Sequence, residues 1–323
     1  MKTEILHGNA PQALARAVSL LKSGQIIAFP TETVYGLGAD ARNPEAVAQI
    51  FEAKGRPATN PLIVHCLDLA MAQSCVQNWN HDCDALAQEF WPGALTIILK
   101  RAENIPSIVA AGGPTLAIRV PAHLVARGLL AHFQGPIAAP SANRSTQISP
   151  TCADHVQKSL DGRIPLILNG GPCKVGLEST VLDMSNDEPC ILRLGGISQE
   201  AIEECLRRPV GTRNFDEQGP KSPGMMRRHY APNKPVHLFE TMADLPKAKV
   251  AVIYRDESLS LDPREYLGRG LPNEAQGYGR ELYNALHWAD DQDVEAIYIQ
   301  TPPLGKPWDT VRDRLSRSVT SPT

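Results

Sequence analysis

Several short stretches of this chain gather hydroxyls, cations and glycines at spacings that suit the holding of an anion. The first, Pro30-Thr31-Glu32-Thr33-Val34-Tyr35-Gly36-Leu37-Gly38, sets two threonines, a carboxylate and a phenol beside glycines that let backbone approach a ligand. The same composition also suits a polar strand-to-helix turn. The second, residues 54–61, puts Lys54 and Arg56 two apart just past a predicted helix end, with Asn60 following in a loop braced by Pro57 and Pro61. Helix capping accounts for Lys54. A rigid bed for phosphate oxygens accounts for Arg56 and Asn60 too, since a guanidinium grips such oxygens in pairs and an amide adds a donor.

Arg119 is a charge inside an otherwise apolar run, and a buried guanidinium needs a partner. A structural ion pair and a carboxylate-bearing substrate both meet that need. Ala139, Ser141, Asn143 and Arg144 lie at and beyond the end of another strand. Ser149 before Pro150 reads as a helix N-cap and first turn, whose N–H groups also suit a phosphate or ribose. Glu178, Ser179, Thr180 and Arg193 occupy late strands, where facing solvent is the plain alternative to a role. The histidines at 7, 81, 123, 132, 155, 237 and 287 are read as structural or exposed. There is no G-x-x-x-x-G-K-[ST] loop, no G-x-G-x-x-G between strand and helix, and no H-E-x-x-H or G-x-S-x-G. What remains is a set of loops at strand ends, where α/β proteins place ligands.

Loops at strand ends need an α/β frame, and apolar periodicity supplies one. Leu14, Ala17, Val18 and Leu21 recur at helical spacing and stop at Gly24. Residues 25–30 read as a buried strand and 31–40 as a loop. A second helix starts near Pro44, carries Val47, Ile50 and Phe51 on one face, and ends at Gly55. Strands are further expected at 62–66, 95–100, 115–120, 136–139, 166–169, 179–183 and 191–194, with helices between several of them. The fold class is therefore α/β, with a mixed sheet over residues 1–206. From 207 to 235 the periodicity disappears and Gly and Pro punctuate the chain. Seven Lys and Arg face only Asp216 and Glu217 between 206 and 234, so this stretch reads as a basic linker. A small second α/β domain follows over 236–323, with strands at 250–254 and 296–299, a helix at 281–289 and an amphipathic end at 311–315.

A length of 323 residues suits two domains with their own cores. The seven cysteines are odd in number and form no C-x-x-C pair, which suits reduced thiols rather than disulfides or a zinc site. No run of eighteen apolar residues occurs, and Lys2, Glu4 and His7 precede any apolar stretch, so a cytoplasmic protein without membrane spans is expected. A net charge of -3 argues against holding nucleic acid by overall electrostatics.

Joined in order, these residues resemble the YrdC-like threonylcarbamoyl-adenylate synthases in their longer, two-domain form. The resemblance rests on T-x-T-x-Y-G-L from Thr31, K-G-R-P-x-x-N-P-L-I-V-H from Lys54, P-S-A-N from Pro140 and S-P-G-M-x-x-x-H-Y-x-P from Ser222. Matches at 90–99, 117–122 and 170–183, and more weakly at 305–315, extend it over nearly the whole chain. Ala94 and Thr146 depart from it, where proline and glycine respectively are frequent in the family.

The resemblance implies a YrdC-like domain with a twisted mixed sheet and flanking helices, and a Rossmann-like second domain. It implies that threonine, bicarbonate and ATP become threonylcarbamoyl-AMP and pyrophosphate, with Mg2+ held mainly by the ATP phosphates. A separate complex would then transfer the threonylcarbamoyl group to an adenosine beside the anticodon of tRNAs reading ANN codons. Threonine would lie near Thr33, His65, Arg119, Ala139 and Ser179 or Thr180. ATP would lie against Lys54, Arg56, Asn60, Thr115, Ser141, Asn143, Ser149, Arg193 and Tyr230, with Lys54, Arg56 and Arg193 the catalytic cations. The residues agree in kind, because joining two anions calls for fixed positive charge and positioning rather than a protein nucleophile. Residues 223–232 are further expected to fold over the nucleotide as a lid. A monomer is expected. The competing readings are a non-enzymatic RNA-binding or ribosome-assembly factor, and an enzyme moving a carbamoyl group from carbamoyl phosphate onto another protein.

Overall fold

The computed structural model describes residues 2–213, 230–255, 259 and 261–320. The chain divides into two compact units, Met1–Ser145 with Pro150–Met225, and Thr146–Ser149 with Met226–Thr323.

In the first unit the order is β1 (Glu4–His7), α1 (Pro11–Lys22), β2 (Ile27–Phe29), β3 (Gly36–Asp40), α2 (Pro44–Lys54) and β4 (Ile63–His65). It continues through α3 (Leu69–Ser74), α4 (His81–Phe90), β5 (Leu95–Lys100), β6 (Thr115–Arg119), α5 (Leu124–Phe133) and β7 (Ile137–Ala139). It closes with α6 (Ala153–Leu160), β8 (Leu166–Asn169), β9 (Thr180–Asp183), β10 (Cys190–Arg193), α7 (Gln199–Leu206) and β11 (Gly211–Thr212). Local chemistry sets the helix limits. In α2, Asn43 Oδ1 accepts from the N–H groups of Glu45 and Ala46, Pro44 opens the first turn, and Gly55 closes it in the left-handed conformation at φ 60°.

The described strands form one mixed sheet in the order β1-β8-β2-β3-β7-β4-β6-β5-β9-β10-β11. Strand alternation divides its side chains between two faces. On one face Val64, Ile118, Ile97 and Leu182 join Val47, Ile50 and Phe51 of α2 in the largest core. Each such buried aliphatic or aromatic side chain contributes roughly 1.5–3 kcal/mol. On the other face Ile63, Ala117, Ile98 and Val181 form a smaller apolar cluster with Leu192. Next to it, Phe29, Ile137 and Ala139 pack with residues of α1 and α5.

Several segments differ from the sequence expectation, among them β1 (Glu4–His7), where no strand was expected. Residues 36–40, expected within a loop, form β3 and pair antiparallel with β2. Gly36 and Gly38 lack the bulky side chains that mark a strand, yet they fit here because a Cβ on Gly38 would lie 2.7 Å from both Phe29 and Ile137. Within 207–235, residues 211–212 form β11, parallel to β10.

The second unit holds β12 (Val236–Phe239), β13 (Val250–Tyr254), β14 (Tyr266–Gly270), α8 (Ala275–Asp291), β15 (Ile297–Gln300) and α9 (Asp309–Ser318). Its four described strands are all parallel, in the order β12-β15-β13-β14. Helix α8 begins six residues before the helix expected from periodicity, because Gly277 and Gly279 weaken the helical signal of its first turns. No described helix is long and apolar enough to cross a membrane.

Candidate active site

The face that carries Ile63, Ala117 and Ile98 also carries a line of polar residues one step along the strands. His65 pairs with Arg119 in the parallel register of β4 and β6. The antiparallel register that pairs Ile97 with Ile118 brings Thr96 level with Arg119. Thr96 in turn pairs with Val181, and Val181 with Arg193, where a register shift between Ile191 and Arg193 lets Leu192 and Arg193 share one side. Paired residues point to the same side, so His65, Arg119, Thr96 and Arg193 share one rung across five strands, about 19 Å at ordinary strand spacing.

Next to His65 the first loop closes on Arg119. Its Nη2 donates to Glu32 Oε1 at 2.5 Å, its Nη1 to Thr33 Oγ1 at 2.9 Å and its Nε to the Gly93 carbonyl at 2.9 Å. The other Glu32 oxygen accepts from Ala122 N–H at 2.9 Å. Burial pushes the Glu32 carboxyl up, but the adjacent guanidinium and the hydrogen bonds outweigh it and leave the group below its ordinary value. Thr31 Oγ1 lies 2.8 Å from Thr33 Oγ1 and donates to Val34 O. This fixes the Thr33 hydroxyl against the guanidinium. The His65 ring is buried edge-on to Phe29, and burial, with Arg119 beside it, pulls its pKa down to about 3. The imidazole is thus neutral. Ala139 lies on the same side through its pairing with Ile63. Of the two readings open for Arg119, the ion pair is present, and the residue also lies on the rung.

Toward the other end, Arg193 donates from Nε and Nη2 to the Ser179 carbonyl at 3.1 and 2.9 Å, and from Nη2 to Ser179 Oγ at 3.0 Å. Both side chains are buried rather than turned to solvent. Ser179 Oγ also lies 2.7 Å from Thr96 Oγ1. Thr180, one residue on, points the opposite way, its hydroxyl donating to Ile197 O at 2.5 Å and accepting from Ile197 N–H at 3.0 Å.

A second cluster gathers around Lys54. Its Nζ donates to the carbonyls of Ser141, at 2.6 Å, and Asn143. Burial, with the Arg56 guanidinium nearby, pulls the ammonium well below the usual lysine range. Arg56 Nη2 donates to the Asn60 and Pro61 carbonyls at 3.4 and 3.2 Å, which closes the loop on itself. Residues 140–143 are also tied to the first loop, since Ala142 N–H donates to Tyr35 O and Leu37 N–H to Pro140 O. Thr115 opens β6, four residues and about 13 Å from Arg119 on the same face. With Thr59 and Pro61 it lines a cavity of about 680 Å³ that also receives Lys100 and Arg101.

Ser149 and Tyr230 belong to the second unit. The Ser149 carbonyl lies 3.2 Å from His287 Nε2. Tyr230, with φ 62°, stacks on Tyr283 at 5.5 Å beneath the Arg314 guanidinium, 5.3 Å from its ring. Of the expected lid, residues 223–229, with Arg227, Arg228 and His229, lie outside the described residues.

Two residues of this arrangement escaped the sequence reading as individual site members. Glu32 was visible only as a loop carboxylate, although the need of a strand-borne Arg119 for a partner was a signal pointing to it. Thr96 carried no signal, because a threonine in an apolar strand is an ordinary β-former.

Residues 19–195 match the Sua5–YciO–YrdC family model, described as Telomere recombination. Residues 197–319 match the model of the threonylcarbamoyl-AMP synthase C-terminal domain. The chain is 40% identical over 317 residues to the threonylcarbamoyl-AMP synthase of Bacillus subtilis (strain 168), covering 93% of this chain and 91% of that protein. It is 38% identical over 302 residues to the threonylcarbamoyl-AMP synthase of Pyrococcus abyssi, covering 88% and 87%. Among solved structures it matches P. abyssi Sua5 complexed with L-threonine with a TM-score of 0.86 at 35% identity, over 95% of each chain. A variant of P. abyssi Sua5 with two alanine substitutions matches with a TM-score of 0.88 at 32% identity, over 98% of each.

Proposed function

The chain belongs to the Sua5–YciO–YrdC family, in the form that also carries the threonylcarbamoyl-AMP synthase C-terminal domain, and from that premise we propose that it makes threonylcarbamoyl-AMP and pyrophosphate from L-threonine, bicarbonate and ATP. The observation that carries the reading is the likeness along nearly the whole chain to proteins named for this activity, one of them solved with L-threonine. The polar rung supports it physically. It offers a neutral imidazole beside one guanidinium, and a second guanidinium that carries the Ser179 hydroxyl, on one face of a sheet.

In this reading the threonine amine attacks the bicarbonate carbon and water leaves, giving N-carboxythreonine. An oxygen of the new N-carboxylate, not of the α-carboxylate, then attacks the α-phosphorus of ATP, and the bond to the β-phosphate oxygen breaks with release of pyrophosphate. Both partners of that step are anions, so the protein's task is to hold them in line and offset their charge. Arg119 and Thr33 receive the amino acid. Arg56, Arg193 and the loop held by Lys54 receive the phosphates. Mg2+ enters this reading on the phosphate oxygens of ATP, since the ion keeps several waters and takes few protein ligands. The product is a mixed anhydride, and in this reading a separate transferase complex carries its threonylcarbamoyl group to a tRNA adenosine. The likeness gives the RNA-binding and carbamoyl-phosphate readings no comparable support.

Incubation with labelled bicarbonate, ATP, Mg2+ and threonine tests the proposal. Labelled adenylate and an equal amount of pyrophosphate are expected, with far less when serine replaces threonine. Absence of both products, or label transfer only from carbamoyl phosphate, overturns it.

A further inference from the structure

Thr96 is fully buried in the middle of the polar rung. Its hydroxyl oxygen lies 2.7 Å from Ser179 Oγ, its one hydrogen-bond partner among the described residues. Ser179 Oγ also accepts from Arg193 Nη2 at 3.0 Å. Counting protons fixes the rest. A hydroxyl has one proton to give and two lone pairs to fill. A guanidinium only donates, so Arg193 occupies one lone pair of Ser179. If Ser179 gave its proton to Thr96, the Thr96 proton would have no acceptor among the described residues, which is the expensive arrangement. If Thr96 donates instead, both Ser179 lone pairs are filled and the Ser179 proton is left over. By strand alternation Ser179 shares the face of Val181 and Arg193, so that proton is directed to whatever occupies the rung.

We propose that Thr96 is a positioning residue, whose hydroxyl donates to Ser179 and so directs the Ser179 proton to an anionic oxygen of the bound amino acid. The inference rests on the reading of this face as the threonine site. Thr96 touches no substrate itself. It converts Ser179 from a group that could donate or accept into one that only donates, and so favours a carboxylate oxygen over a donor in that position.

Calorimetric titration of L-threonine into the full chain, which requires no turnover, tests this with T96V, T96S, S179A and T96V/S179A, each checked for an unchanged melting temperature. Valine keeps the shape of threonine and removes the donor. T96V is expected to weaken threonine binding about tenfold, the worth of one directed hydrogen bond. T96S is expected to bind within about twofold of the wild type. The double variant is expected to bind no worse than S179A, because Thr96 acts only through Ser179. T96V that binds like the wild type, or a double variant showing the summed losses, overturns the role of Thr96 and leaves the proposed function standing. A wild-type chain that binds no threonine overturns both.

Discussion

Arg119 and Glu32 form a buried ion pair, Nη2 to Oε1 at 2.5 Å, that joins β6 to the loop after β2. The pair holds the guanidinium so that Thr33 and Gly93 take two more of its five N–H donors. Replacing Glu32 by alanine leaves a buried cation uncompensated and is expected to cost about 3–5 kcal/mol, measured by urea denaturation. The pair also predicts a pH dependence. The Glu32 carboxyl lies below its ordinary value of 4.5 in the folded chain. The unfolded chain therefore takes up the proton first, so the pair's contribution is complete above pH 4.5 and fades as the pH falls through the folded value. E32Q is expected to lose less stability than the wild type over that acid range.

His65 has the opposite chemistry and a different window. Its pKa falls from 6.5 to about 3, chiefly through burial and then through Arg119. The folded chain keeps it neutral while the unfolded chain protonates it, so stability is complete above pH 6.5 and declines toward pH 3. Between pH 7 and pH 5 the loss from this one group is about 2 kcal/mol. Denaturation of the wild type and of H65N at both pH values checks it, and the variant is expected to lack most of that decline.

Lys54 acts on its neighbours through charge and geometry. Its ammonium is shared between the carbonyls of Ser141 and Asn143, and all three side chains lie in segments proposed to meet ATP. K54M fills the same space without donors, and the two carbonyls lose their partner. A loss of about 2–4 kcal/mol in stability is expected. ATP affinity is expected to fall at least about tenfold, measured by fluorescence with an ATP analogue. Threonine affinity should change much less.

Thr146 stands where the family frequently has glycine, and its φ is 68°. A β-branched side chain in the left-handed region is strained by roughly 1–2 kcal/mol. T146G is therefore expected to raise the melting temperature by a few degrees, partly offset by the greater freedom of glycine in the unfolded chain. Scanning calorimetry reads the difference.

Much of the site was legible because its information is local. Lys54, Arg56 and Asn60 lie in one short loop, and the limits of α2 follow from Asn43, Pro44 and Gly55. Strand β3 was not legible, since Gly38 fits only against Phe29 and Ile137, which come from other strands. The opposite directions of Ser179 and Thr180 were equally hidden. Adjacent hydroxyls look alike in sequence, and only the strand's register says which faces Arg193 and which meets Ile197.

By itself the sequence determined the family, the α/β class and the residue types at the site, because motifs and apolar periodicity are properties of neighbouring residues. Tertiary structure alone decided that Glu32 meets Arg119, that Lys54 braces the loop at Ser141, and that His65, Arg119, Thr96 and Arg193 share one rung. Those partners are far apart along the chain. The pairing register of five strands brings them together, and that register is set by the packing of both sheet faces at once.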